Sequence, residues 1–263
     1  MLIISNKKKL WEPSDEWIKN AEATRFIEFV NKEYNQVLKG AKELYRWSVE
    51  KIPDFWDAMW KFSGIISSQP YDKVVEDLNV FPGTKWFPGT KLNFAENLLK
   101  YKDDQLAFIF QGEMKVSKQM TYKELNKTVA RLAKSLKNMG VKVGDRVVSY
   151  IPNLIETPIA MLAATAIGAI WASCGAELQP SAVIDRFGQI EPKVLFTVDG
   201  YYYRDKAFNI GENAKKVVEA IPSIEKVIVV SYVSDKADIS DIPKAIHWTD
   251  FITKEEDPVL EFE

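Results

Sequence analysis

Between residues 145 and 200 the chain alternates short, continuously apolar runs with stripes spaced for helices. Residues 146–150, 169–173 and 194–198 are apolar and β-branched, bounded by Pro, Gly and acidic positions. Strands buried on both faces of a parallel sheet read this way. Two segments of helical length, 154–168 and 178–192, separate them. In the second, Pro180 stands near the first turn and Val183, Ile184, Phe187 and Ile190 form one face. The pattern predicts a βαβαβ unit with right-handed crossovers, whose ligands bind beyond the carboxyl ends of the strands. The loops after Tyr150, Ser173 and Val198 are therefore the places to look for chemistry.

On the amino-terminal side of this unit, LAFIFQG, a polar turn and VSKQM predict a β-hairpin from Gln105 onward. Thr121-Tyr122-Lys123-Glu124 is a capping-box sequence that opens a helix. Its stripe is Leu125, Val129, Leu132, Leu136 and Met139, and Gly140 is placed to end it. On the other side, a helix around 213–221 precedes a strand at 226–230 and a short strand at 245–248. Residues 1–100 differ: they hold six of the eight tryptophans and no parallel-strand pattern. Here Ser14 caps a predicted helix from Asp15 with Trp17, Ile18, Ala21, Phe26, Phe29 and Val30. A second predicted helix, 48–62, lines up Phe55, Met59 and Phe62, widened by Trp56 and Trp60, which reads as a packing surface rather than a ligand cage. Pro82-Gly83 and Pro88-Gly89 frame a turn-rich connector. The expected fold is α/β, with a mainly helical, aromatic-rich segment over 1–100 followed by a parallel-sheet βαβ domain over 101–263.

A chain of 263 residues can bury a substantial core as one or two domains. Lys and Arg number 35 against 37 Asp and Glu, and a net charge of -2 gives no electrostatic case for nucleic acid or an anionic membrane. A single Cys and a single His exclude a disulfide framework and a Cys/His zinc site and suit a reducing compartment, so a cytoplasmic location is expected. The amino terminus places a basic run after a short apolar run without a small-residue cleavage site, and no secretory signal is read there. The uncharged run 158–175 approaches membrane-spanning length. It is Ala-rich, contains Gly168 and is bracketed by Glu156 and Glu177, so it reads as helix plus strand.

The familiar catalytic motifs are absent. No two glycines stand two or five positions apart, so neither a GxGxxG fingerprint nor a Walker loop exists here. Gly140 and Gly144 have the spacing of a nucleophile elbow but enclose no Ser. His247 beside Trp248 reads as structural and Cys174 as a small buried hydrophobe. Asp103-Asp104 and Glu255-Glu256 read as solvent-facing pairs. No catalytic residue and no metal ligand is predicted, which suggests part of an enzyme.

Residues 44–65, 85–99, 140–174 and 181–200 closely resemble, in order, the adenylate-forming acyl-CoA synthetases. TYKEL and GVKVGDRV are shared across that superfamily, whereas FWDAMWKFSGI and DRFGQIEPK favour its acetoacetate-activating branch over the acetate one. The resemblance, from about Trp11 to the last residue, implies a ligase that converts acetoacetate and ATP to acetoacetyl-AMP and pyrophosphate, after which CoA displaces AMP. ATP, CoA and Mg2+ are the implied cofactors, and small molecules the implied partners, with neither nucleic acid nor membrane. The family's phosphate loop, magnesium carboxylate and catalytic lysine come later than the matched segments, and LEFE resembles the stretch before that loop. The chain is therefore expected to be a truncated amino-terminal part, inactive alone and binding no cofactor tightly. One implied element falls inside it. An Arg-Gly-Gly-Lys segment that contacts CoA in the acetate enzyme corresponds to Tyr203, Arg204, Asp205 and Lys206, and a Gly-Gly turn near CoA's adenine corresponds to Gly175-Ala176. An exposed polar loop and a turn that needs small residues are the non-functional readings of the same positions. Two alternatives stay open: a synthetase for another short acid such as acetate, and a non-catalytic ligase-like binding module.

Overall fold

The computed structural model describes residues 10–113, 117–255 and 258–263. The amino-terminal run 1–9, Val116 of the predicted hairpin and Glu256 of the acidic pair lie outside the described residues. The chain divides into two compact units, Met1–Leu92 and Asn93–Glu263.

The first unit holds α1 (Asp15–Asn20), α2 (Glu22–Glu33), α3 (Ala41–Glu50) and α4 (Ile52–Ser63). Ser14 caps α1 as expected, its Oγ accepting from the Trp17 N–H at 3.2 Å. The single helix predicted from Asp15 is two, because Ala21 takes an extended conformation between them. The predicted helix 48–62 also divides: Ser48 belongs to the last turn of α3, and Pro53 sits in the first turn of α4. A proline there lacks the N–H that would continue the preceding helix and suits a helix start. Phe26, Val30, Trp47 and Ala58 are buried at the centre, with Phe29, Phe55 and Phe62 packed around them. Phe26 meets Phe62 edge-on at 5.1 Å and Phe55 at 6.0 Å, so this aromatic stripe is core.

In the second unit α5 (Phe94–Leu98) precedes the hairpin β1 (Leu106–Gln111) and β2 (Ser117–Thr121), then α6 (Tyr122–Asn138). β3 (Arg146–Tyr150), α7 (Glu156–Ala166), β4 (Ile170–Cys174), α8 (Pro180–Gly188) and β5 (Val194–Val198) form the predicted βαβαβ unit. The second strand lies one residue later than expected, because Ala169 N still bonds Ala164 O at the end of α7. A small hairpin, β6 (Gly200–Tyr203) and β7 (Lys206–Asn209), then leads through α9 (Gly211–Ala220), β8 (Lys226–Val230) and β9 (Ala245–His247) to α10 (Trp248–Phe251). All five main strands are parallel, in the order β4-β3-β5-β8-β9.

Alternation along the strands builds two cores. Val147, Val194, Phe196 and Ile228 face α6 and α7, while Val148, Leu195, Val227 and Val229 face α8 and α9. Both faces of β3, β5 and β8 are covered, which is why these strands read as unbroken apolar runs, while the edge strand β4 is half-exposed. The capping box at the start of α6 is complete: Glu124 N donates to Thr121 Oγ1 at 3.2 Å and Thr121 N to Glu124 Oε2 at 2.8 Å. Thr121→Ala is expected to destabilise this unit by about 1 kcal/mol, read as a lower urea midpoint with unchanged slope. A shift below about 0.3 kcal/mol would show that tertiary packing alone holds the start of α6.

Candidate functional site

The connections that leave β3 and β5 depart to opposite faces, through α7 and α9. A crevice opens at such a switch point, beyond the carboxyl ends of the strands. At these strand ends Tyr150 and Thr197 are paired across β3 and β5 and fully buried. Thr197 Oγ1 donates to Tyr150 O at 3.0 Å, and the Tyr150 hydroxyl donates to Leu178 O at 2.5 Å. Burial pushes the Tyr150 phenol above its usual range, so it stays a hydrogen-bond donor.

Beyond β5, residues 203–206 form a two-residue hairpin rather than an irregular loop, with Tyr203 paired to Lys206. Arg204 and Asp205 stand at its tip with φ of 49° and 58°. Tight hairpins of the primed type need two left-handed residues, and glycine or Asn/Asp favours them. The Gly-Gly expected to correspond to Arg204-Asp205 would suit such a turn. Asp205 suits the turn, while Arg204 is a less usual occupant. The Arg204 guanidinium lies over the Tyr203 ring at 5.2 Å, Lys206 is exposed, and Asp205 N donates to Glu113 Oε2 at 3.2 Å. Gly175 follows β4, and a Cβ there would stand 2.4 Å from the Glu177 carboxylate, so only glycine lets Glu177 fold across it. Gly175 and the hairpin thus leave one edge of the sheet with β3 between their strands, roughly 10 Å apart at the strand ends. Cys174 is buried and burial pushes its thiol up, as suits a small hydrophobe.

Sequence reasoning did not single out Asp199 or Tyr232. Asp199 is 5% exposed and its carboxylate accepts from Tyr232 N, Val233 N, Ser234 N and Ser234 Oγ. An acidic residue and a glycine directly after a buried strand, Asp199-Gly200, were the available signal.

Two concavities open elsewhere in this unit. One of about 580 Å³ is mainly apolar, lined by Phe108, Phe110, Leu154, Pro158, Met161 and Trp171. The other, of about 420 Å³ at the ends of β8 and β9, is polar and includes Glu156, Asp235, Lys236, His247 and Asp250. Among the described residues, no three His, Cys, Asp or Glu side chains cluster to hold a metal ion, and no helix is long and apolar enough to cross a membrane.

The AMP-binding enzyme model matches residues 94–260, and the acetyl-coenzyme A synthetase N-terminus model matches 41–98. Acetoacetyl-CoA synthetase of Macaca fascicularis is 41% identical over 97% of this chain and 39% of its own length. That of Danio rerio is 39% identical over 99% of this chain and 40% of its own. The solved acetoacetyl-CoA synthetase from Streptomyces lividans superposes with a TM-score of 0.87 at 32% identity, covering 98% of this chain and 39% of that one. The chain thus spans about two fifths of the length of the relatives it matches.

Proposed function

Because this chain belongs to the AMP-binding enzyme family, we propose that it contributes the parallel sheet and a CoA-facing turn to an acetoacetate–CoA ligase. The observation that carries this reading is the 41% identity to an acetoacetyl-CoA synthetase across nearly the whole chain. The turn beyond β5 presents Arg204 and Lys206, with Asp205 between them and Glu113 at its tip, and the two cations support the reading chemically. In such a ligase ATP with Mg2+ supplies the adenylyl group that activates acetoacetate as acetoacetyl-AMP with loss of pyrophosphate, and the CoA thiol then displaces AMP. Within this chain Lys206 offers a point charge and Arg204 a planar fork to the phosphates of CoA. Tyr203 backs the Arg204 guanidinium. Gly175 leaves the exit of β4 open to a flat ring once Glu177 swings aside.

Among the described residues no three His, Cys, Asp or Glu side chains cluster, and the glycine spacing excludes a Walker loop and a GxGxxG turn. No adenylation step is assigned to these residues, and the isolated chain is expected to bind ATP weakly and to form no acetoacetyl-CoA. Its partners are small molecules, and its setting is a reducing cytoplasm, in keeping with one buried cysteine.

A chimera tests the assignment. Residues 1–263 are exchanged for the matching segment of the Streptomyces lividans enzyme, and acetoacetyl-CoA formation is followed with acetoacetate, acetate, ATP and CoA. The expected result is turnover of acetoacetate within about tenfold of that parent, equivalent to about 1.4 kcal/mol of transition-state stabilisation. A folded chimera that prefers acetate, or turns over nothing, counts against the reading, as does acetoacetyl-CoA made by the isolated chain at the parent's rate.

A further inference from the structure

We propose that Asp199 is the positioning residue of the 203–206 turn, holding its cations over the carboxyl edge of the sheet for the phosphates of CoA. The inference rests on the CoA reading given above and adds to it the residue that places the turn. Both legs of the β6–β7 hairpin are rooted on Asp199. Its N–H donates to Val230 O at 3.2 Å, the chain enters the hairpin at Gly200, and Ile210 N returns to Asp199 O at 3.1 Å. Its side chain binds the neighbouring loop as firmly. Tyr232 N and Val233 N donate to Oδ1 at 2.8 and 3.1 Å, and Ser234 N and Oγ donate to Oδ2 at 3.0 and 2.5 Å.

The loop so held then braces the hairpin from the side. Tyr232 meets Tyr202 edge-on at 5.4 Å and Phe110 at 6.2 Å, and the Tyr202 hydroxyl reaches Val233 O at 3.5 Å. A Cβ at Gly200 would stand 2.4 Å from Phe208 O and 2.8 Å from Val233, so the root has no slack. Glu113 holds the tip through Asp205 N. Between root and tip stand two left-handed residues, Arg204 and Asp205, whose own backbone preferences do not fix the turn.

The choice of a carboxylate also argues for placement. Among the described residues no cation lies within ion-pair distance of Asp199, so its charge is compensated by converging N–H and O–H donors alone. Burying a carboxylate without a cation is costly, and an apolar residue would serve core stability better. What a carboxylate supplies is two oxygens that gather four donors from three successive residues and so fix a loop in one shape. Asn is isosteric but offers one oxygen and turns an NH2 towards two of those donors.

Asp199→Asn, Ser234→Ala, Lys206→Ala and the Asp199→Asn/Lys206→Ala double variant are made in the chimera with the Streptomyces lividans enzyme and compared with its unsubstituted form. Amide exchange read by mass spectrometry follows residues 200–210 and 231–234, and titration calorimetry follows CoA. Asp199→Asn is expected to speed exchange in both segments by about tenfold while leaving β3 protected. It is expected to weaken CoA binding at least as much as Lys206→Ala, with the double variant little worse than Asp199→Asn alone, because the turn that carries Lys206 is already displaced. Ser234→Ala, which deletes one donor of four, should give a smaller effect of the same kind and serves if Asp199→Asn fails to fold. Unchanged exchange in these segments overturns the positioning role. So does loosened exchange with unchanged CoA affinity, or a double variant whose losses add. Failure of the unsubstituted chimera to bind CoA overturns the ligand reading instead, and the exchange comparison still decides whether Asp199 sets the turn.

Discussion

Phe196→Ala is expected to destabilise the parallel-sheet unit by about 3–5 kcal/mol, the range for emptying a buried aromatic site. Phe196 is 1% exposed, in the central strand β5, and faces α6 and α7. Its ring lies 6.2 Å from Trp171 and 5.8 Å from Trp248, tilted against both. Neighbouring backbone cannot collapse into the space, because β5 is hydrogen-bonded on one side to β3 and on the other to β8. The cost therefore includes the cavity and the lost ring contacts as well as the transfer of the side chain. Six of the eight tryptophans lie in the other unit, so the effect is read by amide exchange of β3, β5 and β8 in urea rather than by fluorescence. Ile109→Ala, at a position 68% exposed, is the control and should move stability by less than about 0.5 kcal/mol. A Phe196→Ala loss below about 1 kcal/mol would mean that the two indoles relax into the vacancy.

Much of that core was legible in the sequence for a definite reason. Where strands are covered on both faces, every position is apolar, and the run 194–198 can hardly be anything else. The α6 stripe and its capping box were legible too, since a 3.6-residue period and a Thr-x-x-Glu start are local signals. Short helices were not. α5 lies within what reads as a turn-rich connector, and α3 was hidden because Pro53 starts a helix where the aromatic spacing suggested that an earlier one continues. The 203–206 hairpin was missed because its tip carries Arg-Asp in place of the Asn-Gly or Gly-Gly that announces such a turn. Asp199 was illegible in a deeper sense. Three of its four donors are main-chain groups from residues more than thirty positions away, and no residue type records them. The candidate site is therefore half local pattern, in Gly175 and the strand ends, and half long-range hydrogen bonding that only the fold reveals.

The helical unit should carry the chain's strongest pH dependence, centred on Asp57. Tyr34 donates to its Oδ2 at 2.6 Å, Lys61 to the same oxygen at 2.7 Å, and Tyr71 to Oδ1. These bonds join α2, α4 and the segment that follows α4. Burial raises the Asp57 carboxyl, but hydrogen bonds from Lys61, Tyr34 and Tyr71 outweigh it, and the net shift is downward. Burial, then the hydrogen bond and charge of Asp57, push Tyr71 up to about 12 and Tyr34 further in the same direction. The signs follow from linkage. The depressed carboxyl stabilises the fold above the unfolded value near about 4, and that contribution is lost as pH falls through the folded value. The raised phenols stabilise the fold fully below about 10, and that contribution is lost as pH rises towards their folded values. Stability from this network should thus be level between those limits and fall on both sides. Asp57→Asn is expected to cost about 1.5–3 kcal/mol near neutrality, because two phenol donors and an ammonium lose a charged acceptor. It should also remove the acid limb and bring the late-titrating phenols down, since the charge of Asp57 no longer opposes their ionisation while burial still does. Phenolate absorbance during alkaline titration, alongside urea midpoints from pH 3 to 11, separates these effects. If both tyrosines titrate at the same midpoint in Asp57→Asn as in wild type, burial alone raises them, and Asp57 does not hold this unit together electrostatically.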